Sequence, residues 1–402
     1  MSEDRAFARC FPKWRPAAIP ASPGTVTITG VKVAIVTESF LPRVNGVTNS
    51  VCRILEHLAA RGHEALVIAP GPGPNAHAGQ TVRPVPGIAL PFYRSFVVGL
   101  PTRQVAATLR AFQPDVVHLA SPLVLGASGA AAARRLDVPA VAVFQTDIAG
   151  FARRYGLRGT DPIIWSWLRR VHEQAARTLA PSTPTLQELE RRGIPRLALW
   201  ARGVDHARFH PRHRSAGLRA RLAPAGETLV GYVGRLAAEK RPELLARLAD
   251  LPGTRLVVAG DGPEERRLRR LLPDAVFTGF LTGTELSELV ASLDVFVHTG
   301  ADETFCQAVQ EGLAAGVPVV APAAGGPLDL VRPGVSGLLY PPDDGDALRA
   351  AVAALVAGPE LRLQLGAQAH RSVQNRSWTA VCAELVAHYD EVRGVAPLGR
   401  VA

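Results

Sequence analysis

Two doubly wound α/β domains in tandem are the fold class the sequence predicts. Three observations carry that reading. The chain has 402 residues, room for two or three domains at about 150 residues each. From Val31 onward, short β-branched runs alternate with stretches of helical period. The alternation breaks near Pro211–Pro224 and then starts again. The expected division is a flexible extension over residues 1–30, a first domain over 31–210, a second over 211–375, and a closing helical segment, 376–402, free to return to the first domain.

Each element follows in order. Val31–Thr37 is a β-branched run followed by a polar loop with Pro42, Asn45 and Gly46. Thr48–Arg61 places Val51, Ile54, Leu55 and Leu58 at helical spacing, and Gly62 stops it. Glu64–Ala69 is the next strand, completing a βαβ unit. Further strands are expected at Asp115–Leu119, Ala140–Phe144 and Thr178–Ala180, each followed by a helical stretch. In the second domain Thr228–Val233 opens the sheet. A helix from Glu239, strand Arg255–Ala259, a helix from Glu264 and strand Val276–Thr278 follow. Helix Thr284–Ser292, strand Val295–His298, a helix from Phe305 and strand Val317–Val320 come next. Helices over Asp344–Val356, Glu360–Val373 and Thr379–Val392 close the chain.

Composition excludes several classes. With 47% hydrophobic and 20% charged residues the chain reads as globular. The longest apolar runs, such as Leu313–Ala324, are interrupted by Gly and Pro before the roughly 20 residues that a membrane span requires. The first thirty residues hold Arg5, Arg9, Lys13 and Arg15 without the apolar core of a secretory signal. Cys10, Cys52, Cys306 and Cys382 lie far apart, without C-x-x-C or metal-ligand spacing, which suits a reducing cytoplasm. No repeat of solenoid period is present. The net charge of +10 is uneven: residues 1–210 hold 25 basic and 13 acidic side chains, residues 211–402 hold 20 and 22. An anionic partner on the first half is therefore expected, whether nucleic acid, an anionic membrane surface or an acidic substrate. Of the 45 basic residues only Lys13, Lys32 and Lys240 are lysine, a bias that codon composition alone could produce.

Chemistry concentrates over Thr299–Asp344. Glu303 and Glu311 are separated by seven residues in E-T-F-C-Q-A-V-Q-E. A helix beginning near Phe305 would aim the free amides of its first turn at a bound phosphate. Glu303 could then accept sugar hydroxyls, and Glu311, two turns inside, could reach a ribose diol. A cap residue and a solvated helix face account for the same two carboxylates without a ligand. Gly325-Gly326-Pro327 adds a small-residue loop at a strand end. Gly234-Arg235 closes another strand, with Lys240 five residues on. Arg235 by its planar fork and Lys240 as a compact charge could hold a diphosphate. In the first domain Asn45-Gly46-Val47 forms a strand-to-helix turn open to a ligand. There is no G-x-x-x-x-G-K-[ST], and Gly260-Asp261-Gly262-Pro263 is not a dinucleotide fingerprint.

These residues resemble glycosyltransferase family 4, the retaining enzymes of GT-B fold. The resemblance rests on Gly234 to Lys240, Gly260-Asp261-Gly262-Pro263 and Glu303-x7-Glu311. It extends to Thr37-Glu38-Ser39-Phe40-Leu41-Pro42 with Asn45-Gly46-Val47, to Trp200-Ala201-Arg202-Gly203-Val204-Asp205 and to Phe209-His210-Pro211. The set spans about residues 31–393 and is most similar to bacterial GDP-mannose-dependent α-mannosyltransferases of glycolipid and lipoglycan biosynthesis. It implies two Rossmann-like domains facing a central cleft. It implies Arg235 and Lys240 on the donor diphosphate, Glu303 on the donor sugar and Glu311 on the ribose. The backbone around Thr304, Phe305, Cys306 and Gln307 would place sugar and phosphate, and Asn45-Gly46 would approach from the other domain. Glu303, Arg235 and Lys240 are the catalytic set it implies, with the leaving phosphate helping to deprotonate the acceptor. Neither cofactor nor metal is implied.

One departure is Gln145 in Phe144-Gln145-Thr146-Asp147, where the family commonly has His. Gln145 can hydrogen-bond a sugar but cannot titrate near neutral pH, and with Asp147 it is assigned to the acceptor side. Cys306 stands where small residues are frequent, as a packing residue or a target for alkylation. The implied acceptor is lipid-linked or a glycan. Arg153, Arg154, Arg158, Arg169, Arg170 and Arg177 among Phe151, Tyr155, Trp165 and Trp167 form a basic–aromatic stretch suited to anionic lipid. Asp161-Pro162 starts a helix there, whose apolar face is expected to be Ile164, Trp167, Leu168 and Val171. Transfer from a UDP-sugar, a sugar-nucleotide hydrolase or epimerase, and nucleic-acid binding stay open as rivals. Only charge supports the last, because no zinc-finger, helix-turn-helix, RRM or KH signature is present.

Overall fold

The computed structural model describes residues 30–90, 93–150 and 159–394. Residues 1–29 of the expected extension lie outside the described residues, as do Phe151, Arg153, Arg154, Tyr155 and Arg158 of the basic–aromatic stretch. The chain forms two compact units. Residues 30–143, 171–177 and 386–394 make the first, and residues 144–170 and 178–385 the second.

The first unit is built on strands β1 (Lys32–Val36), β2 (Glu64–Pro70), β3 (Ala76–His77), β4 (Gln80–Val85), β7 (Val116–Leu119) and β8 (Ala140–Val143), in the spatial order β8-β7-β1-β2-β4-β3. All neighbours are parallel except β3 with β4. Helices α1 (Gly46–Ala60), α2 (Arg103–Phe112) and α3 (Val124–Arg135) cross over between strands. Ala34, Val36, Ile68, Val117 and Ala142 bury one face of the sheet against Val105, Leu109 and Ala130. A separate antiparallel hairpin, β5 (Gly87–Leu90) with β6 (Tyr93–Gly99), was not predicted. Its alternation is short and its turn lacks a paired Gly or Asn signal.

The second unit carries a six-stranded parallel sheet: β11 (Thr228–Val233), β12 (Thr254–Ala259), β13 (Val276–Gly279), β14 (Val295–Val297), β15 (Val319–Pro322) and β16 (Gly337–Tyr340). Its order, β13-β12-β11-β14-β15-β16, is that of a dinucleotide-binding sheet, reversing direction between β11 and β14. Alternate residues serve opposite faces. Leu229, Val257, Phe296 and Val319 pack on one side with Leu289, Val309 and Leu313. Val230, Tyr232, Val258, Val297 and Val320 pack on the other with Leu348, Val352 and Leu355. Burial on both faces explains why these strands read as unbroken apolar runs. A short parallel pair, β9 (Arg177–Ala180) with β10 (Leu197–Leu199), precedes this sheet in the chain.

Three expectations are corrected. The stretch from Glu239 is not an α-helix but two 3-10 segments, Ala238–Lys240 and Pro242–Leu248, divided by Arg241 in the left-handed region. Pro242 removes the amide a continuous helix would need. The helix expected from Phe305 begins at Gln307, because Cys306 at φ 75° cannot continue a right-handed turn. The helix over Asp161–His172 turns Trp165, Leu168 and Val171 inward, while Trp167 is 45% exposed. Trp165 thus takes the place expected of Trp167, stacked on Phe144 at 6.0 Å between ring centroids.

Candidate active site

Ligands of open α/β sheets bind beyond the carboxyl ends of the strands where the order reverses. In the second unit those ends belong to β11 and β14. Beyond β11 the chain reads Gly234-Arg235 and reaches Lys240; beyond β14 it reads His298, Thr299 and Gly300 and reaches Glu303. The two loops meet. Lys240 Nζ donates to Glu303 Oε1 at 2.6 Å, and Thr299 Oγ1 donates to Lys240 O at 2.6 Å. His298 Nε2 lies 3.0 Å from the same Glu303 oxygen, and Tyr340 Oη donates to His298 O at 3.1 Å.

Charge is strongly perturbed there. Burial by itself would raise the Glu303 carboxyl, but the Lys240 ammonium and His298 hold it down at about 2. Burial opposes the Lys240 charge, and Glu303 more than offsets it, so the ammonium titrates above its ordinary range. Both groups are therefore ionised at neutral pH. With Oε1 engaged by Lys240 and His298, Oε2 of Glu303 receives no hydrogen bond from the described residues. Arg235 Nη1 stands 3.7 Å from Glu239 Oε1, and burial lowers its pKa.

Glycines make the loops fit. A Cβ on Gly326 would sit 1.9 Å from Phe305 O, and one on Gly325 2.3 Å from Glu303 O. The Gly326 amide then donates to Glu303 O at 2.8 Å. Gly260, at φ 136°, and Gly262, at φ 150°, lie against Gly234 O and Leu236 O, so the Gly260-Asp261-Gly262 turn is a brace for the Arg235 loop. A Cβ on Gly300 would meet Glu303 Oε1 and Lys240 Cα.

The other predicted residues fall as follows. Thr304 Oγ1 donates to Gln145 O at 3.0 Å, while Thr304 O accepts from Ser182 Oγ and Thr185 Oγ1. Phe305 turns its ring into the core and has only backbone to offer. Cys306 is buried, and burial with Glu303 pushes its thiol well up, so it stays neutral. Gln307 Nε2 donates to Gly203 O at 3.0 Å. Glu311 stands half-buried on α9 (Gln307–Ala314), one turn inside it and not two, because the helix starts late. Asp147 Oδ1 accepts from the Gly150 amide at 2.8 Å, a local turn.

In the first unit, Asn45 caps α1: its Oδ1 accepts from the amides of Val47 and Thr48, both at 3.0 Å. Glu38, at the end of β1, is buried and spans two elements. Its carboxylate accepts from Gly99 N at 2.7 Å and Leu125 N at 2.5 Å, capping α3 from outside. Burial raises its pKa to about 7 against those hydrogen bonds.

Sequence reasoning missed His298 as a partner of Glu303, since a lone histidine ending a strand reads as core. It also missed Arg202, whose Nη2 donates to Gln145 Oε1 at 2.6 Å across 57 residues of sequence. The His298, Glu303 and Cys306 donor atoms lie within 4.8 Å of one another, the spacing of a metal ligand set. The Lys240 ammonium already brings positive charge to that cluster.

A half-buried lysine–glutamate ion pair thus stands at the switch point of a Rossmann-like sheet, the place where open α/β sheets take their ligands. Comparison with known proteins shows the family. Residues 44–208 match the model of Glycosyltransferase Family 4, and residues 218–372 that of Glycosyl transferases group 1. The "GDP-mannose-dependent alpha-mannosyltransferase" of Mycobacterium tuberculosis (strain CDC 1551 / Oshkosh) is 52% identical over 91% of this chain and 98% of that one. The protein of the same description from Corynebacterium glutamicum is 47% identical over 91% of this chain and 90% of its own. Among solved structures, sucrose-phosphate synthase from Thermosynechococcus elongatus superposes with a TM-score of 0.76 at 21% identity, over 90% of this chain and 99% of that one. The chain belongs to glycosyltransferase family 4 and is a hexosyltransferase of GT-B fold, two Rossmann-like α/β domains with parallel sheets.

Proposed function

We propose that this chain transfers mannose from GDP-mannose, with retention at the anomeric carbon, to a lipid-linked or glycan acceptor. The observation that carries the reading is the Lys240–Glu303 pair at the β11/β14 switch point, with Arg235 on the same loop as Lys240. The relatives named GDP-mannose-dependent alpha-mannosyltransferase support the choice of nucleotide and sugar.

The chemistry follows from the groups present. As the bond between sugar and phosphate breaks, negative charge gathers on the diphosphate, and the cations of Lys240 and Arg235 stabilise it where it forms. Glu303 keeps Lys240 charged and leaves Oε2 to accept a sugar hydroxyl. The amides of Thr304 to Gln307 place the sugar and phosphate, and Glu311 on α9 binds the ribose diol. The departing phosphate oxygen takes the acceptor proton, so no protein nucleophile is required. Gln145 and Asp147 serve the acceptor side, and Asn45 and Gly46 belong to the donor-binding set.

The acceptor reading includes an anionic membrane surface at the inner face of the cell membrane. Its support is the helix over Asp161–His172, which exposes Ile163 at 73% and Trp167 at 45% beside the exposed Arg169 and Arg170. No helix among the described residues is long and apolar enough to cross a membrane. Salt-reversible pelleting with anionic but not zwitterionic vesicles is expected; no pelleting with either overturns the membrane reading.

The donor is tested by thermal shift with GDP-mannose, UDP-glucose and UDP-N-acetylglucosamine. Stabilisation by GDP-mannose is expected. A shift only with a UDP donor overturns the assignment. The anomeric configuration of the product, read by NMR, tests retention.

A further inference from the structure

Lys240 is held at both ends by one loop. At the tip of its side chain, Nζ donates to Glu303 Oε1 at 2.6 Å; at its backbone, the carbonyl accepts from Thr299 Oγ1, also at 2.6 Å. Thr299 is buried, at 1% exposed. Between the two grips the loop runs against the lysine itself. A Cβ on Gly300 would come 3.4 Å from Lys240 Cα and 3.3 Å from Glu303 Oε1.

The two strand-end loops are anchored differently. The loop leaving β14 starts on the sheet: His298 N donates to Val320 O of β15 at 2.9 Å, and Tyr340 Oη at the end of β16 donates to His298 O at 3.1 Å. Burial raises the Tyr340 pKa, so the phenol stays a donor. The loop leaving β11 carries Lys240 at the close of a single 3-10 turn, Ala238–Lys240, with Arg241 in the left-handed region directly after it. Within that turn Lys240 N donates to Ala237 O at 2.9 Å. Short helical turns end on carbonyls that need a donor from elsewhere. Thr299 supplies one, and thereby ties the Lys240 backbone to the loop that the sheet anchors. The ammonium can exchange Glu303 for a phosphate oxygen. The grip on the carbonyl is independent of what Nζ touches.

We propose that Thr299 is a positioning residue of the donor site, its hydroxyl holding the Lys240 carbonyl so that the ammonium stands where the donor diphosphate binds. The inference rests on the reading of Lys240 and Glu303 as the nucleotide-sugar site. Lysine is a point charge on a long, flexible stem, so its placement depends on a fixed backbone. Thr299 fixes that backbone before the donor arrives.

The test is calorimetric titration of GDP-mannose, with melting temperatures for every variant. Thr299→Val keeps the branched shape and removes the donor; Thr299→Ser keeps the donor and removes the methyl group. Affinity is expected to fall about fivefold in Thr299→Val and to stay within about twofold of wild type in Thr299→Ser. In a Lys240→Ala background, where the ammonium is gone, adding Thr299→Val should weaken binding by no more than about twofold further. A hydroxyl that only stabilises the fold would lower the melting temperature and leave affinity alone. Wild-type affinity in Thr299→Val, a full loss in Thr299→Ser, or an undiminished loss in the Lys240→Ala background overturns the proposal. If Thr299→Val does not fold, Thr299→Ala takes its place in the same cycle. Wild-type protein that does not bind GDP-mannose overturns the donor reading, and the proposal with it.

Discussion

Glu303 shows at the residue scale how much of the site was legible. Its spacing to Glu311 and the isolated lysine at 240 marked both residues in a chain poor in lysine. Their pairing was not legible, because no periodicity joins the ends of β11 and β14. The contact of Arg202 with Gln145 was illegible for the same reason, since it joins segments far apart in sequence, and the partnership of His298 with Glu303 was hidden because a lone histidine ending a strand reads as core. The pairing has a pH consequence. Folding lowers the Glu303 carboxyl from its ordinary 4.5 to about 2, so its contribution to stability is complete above 4.5 and disappears as pH falls through about 2. Denaturant unfolding at a series of acidic pH values should show this loss in the wild type and not in Glu303→Gln; equal slopes refute it. Lys240→Met leaves the half-buried Glu303 carboxylate with His298 alone and is expected to cost about 2 kcal/mol of stability, read by the same unfolding curves. A cost near zero would mean the pair is effectively solvated.

At the scale of elements, five strands of the second sheet were placed within a residue or two, since burial on both faces writes them as continuous apolar runs, and β16 (Gly337–Tyr340), at the sheet edge, was missed. Helix starts were harder. Cys306 takes a left-handed conformation with a side chain that gives no hint of it, and the helix after it begins two residues later than its pattern suggests. The glycines were legible as loops but not as contacts. Gly326→Ala forces a Cβ to 1.9 Å from Phe305 O and must move the Glu303 loop. Loss of transfer with a lowered melting temperature is expected, whereas an active, equally stable variant would show that the loop has slack. In the first unit, Glu38→Ala leaves the Gly99 and Leu125 amides without their acceptor, at a cost of roughly 2 kcal/mol or more. An unchanged unfolding free energy would argue that water replaces the carboxylate.

For the molecule as a whole, two α/β domains and an uneven charge were legible in the sequence, and the two domains are Rossmann-like with parallel sheets. Acid sensitivity is a property only the folded molecule reveals. His118, hydrogen-bonded through Nδ1 to Tyr389 Oη at 2.8 Å, and His172 are buried and neutral, lowered from 6.5 to about 3 and about 4 by burial. The unfolded chain binds those protons first, so stability is full above pH 6.5 and declines as pH falls toward those values. His118→Asn should make that decline shallower in unfolding curves; an unaltered slope counts against it. The proposed nucleotide-sugar site lies in the second unit, where the ends of β11 and β14 bring Lys240 and Glu303 together, with Arg235 on the same loop as Lys240. Calorimetric titration of GDP-mannose into the wild type, Lys240→Ala and Glu303→Ala tests it most directly. Saturable binding by the wild type, weakened about tenfold or more in each folded variant, is the predicted result. Wild-type affinity in either variant would contradict it.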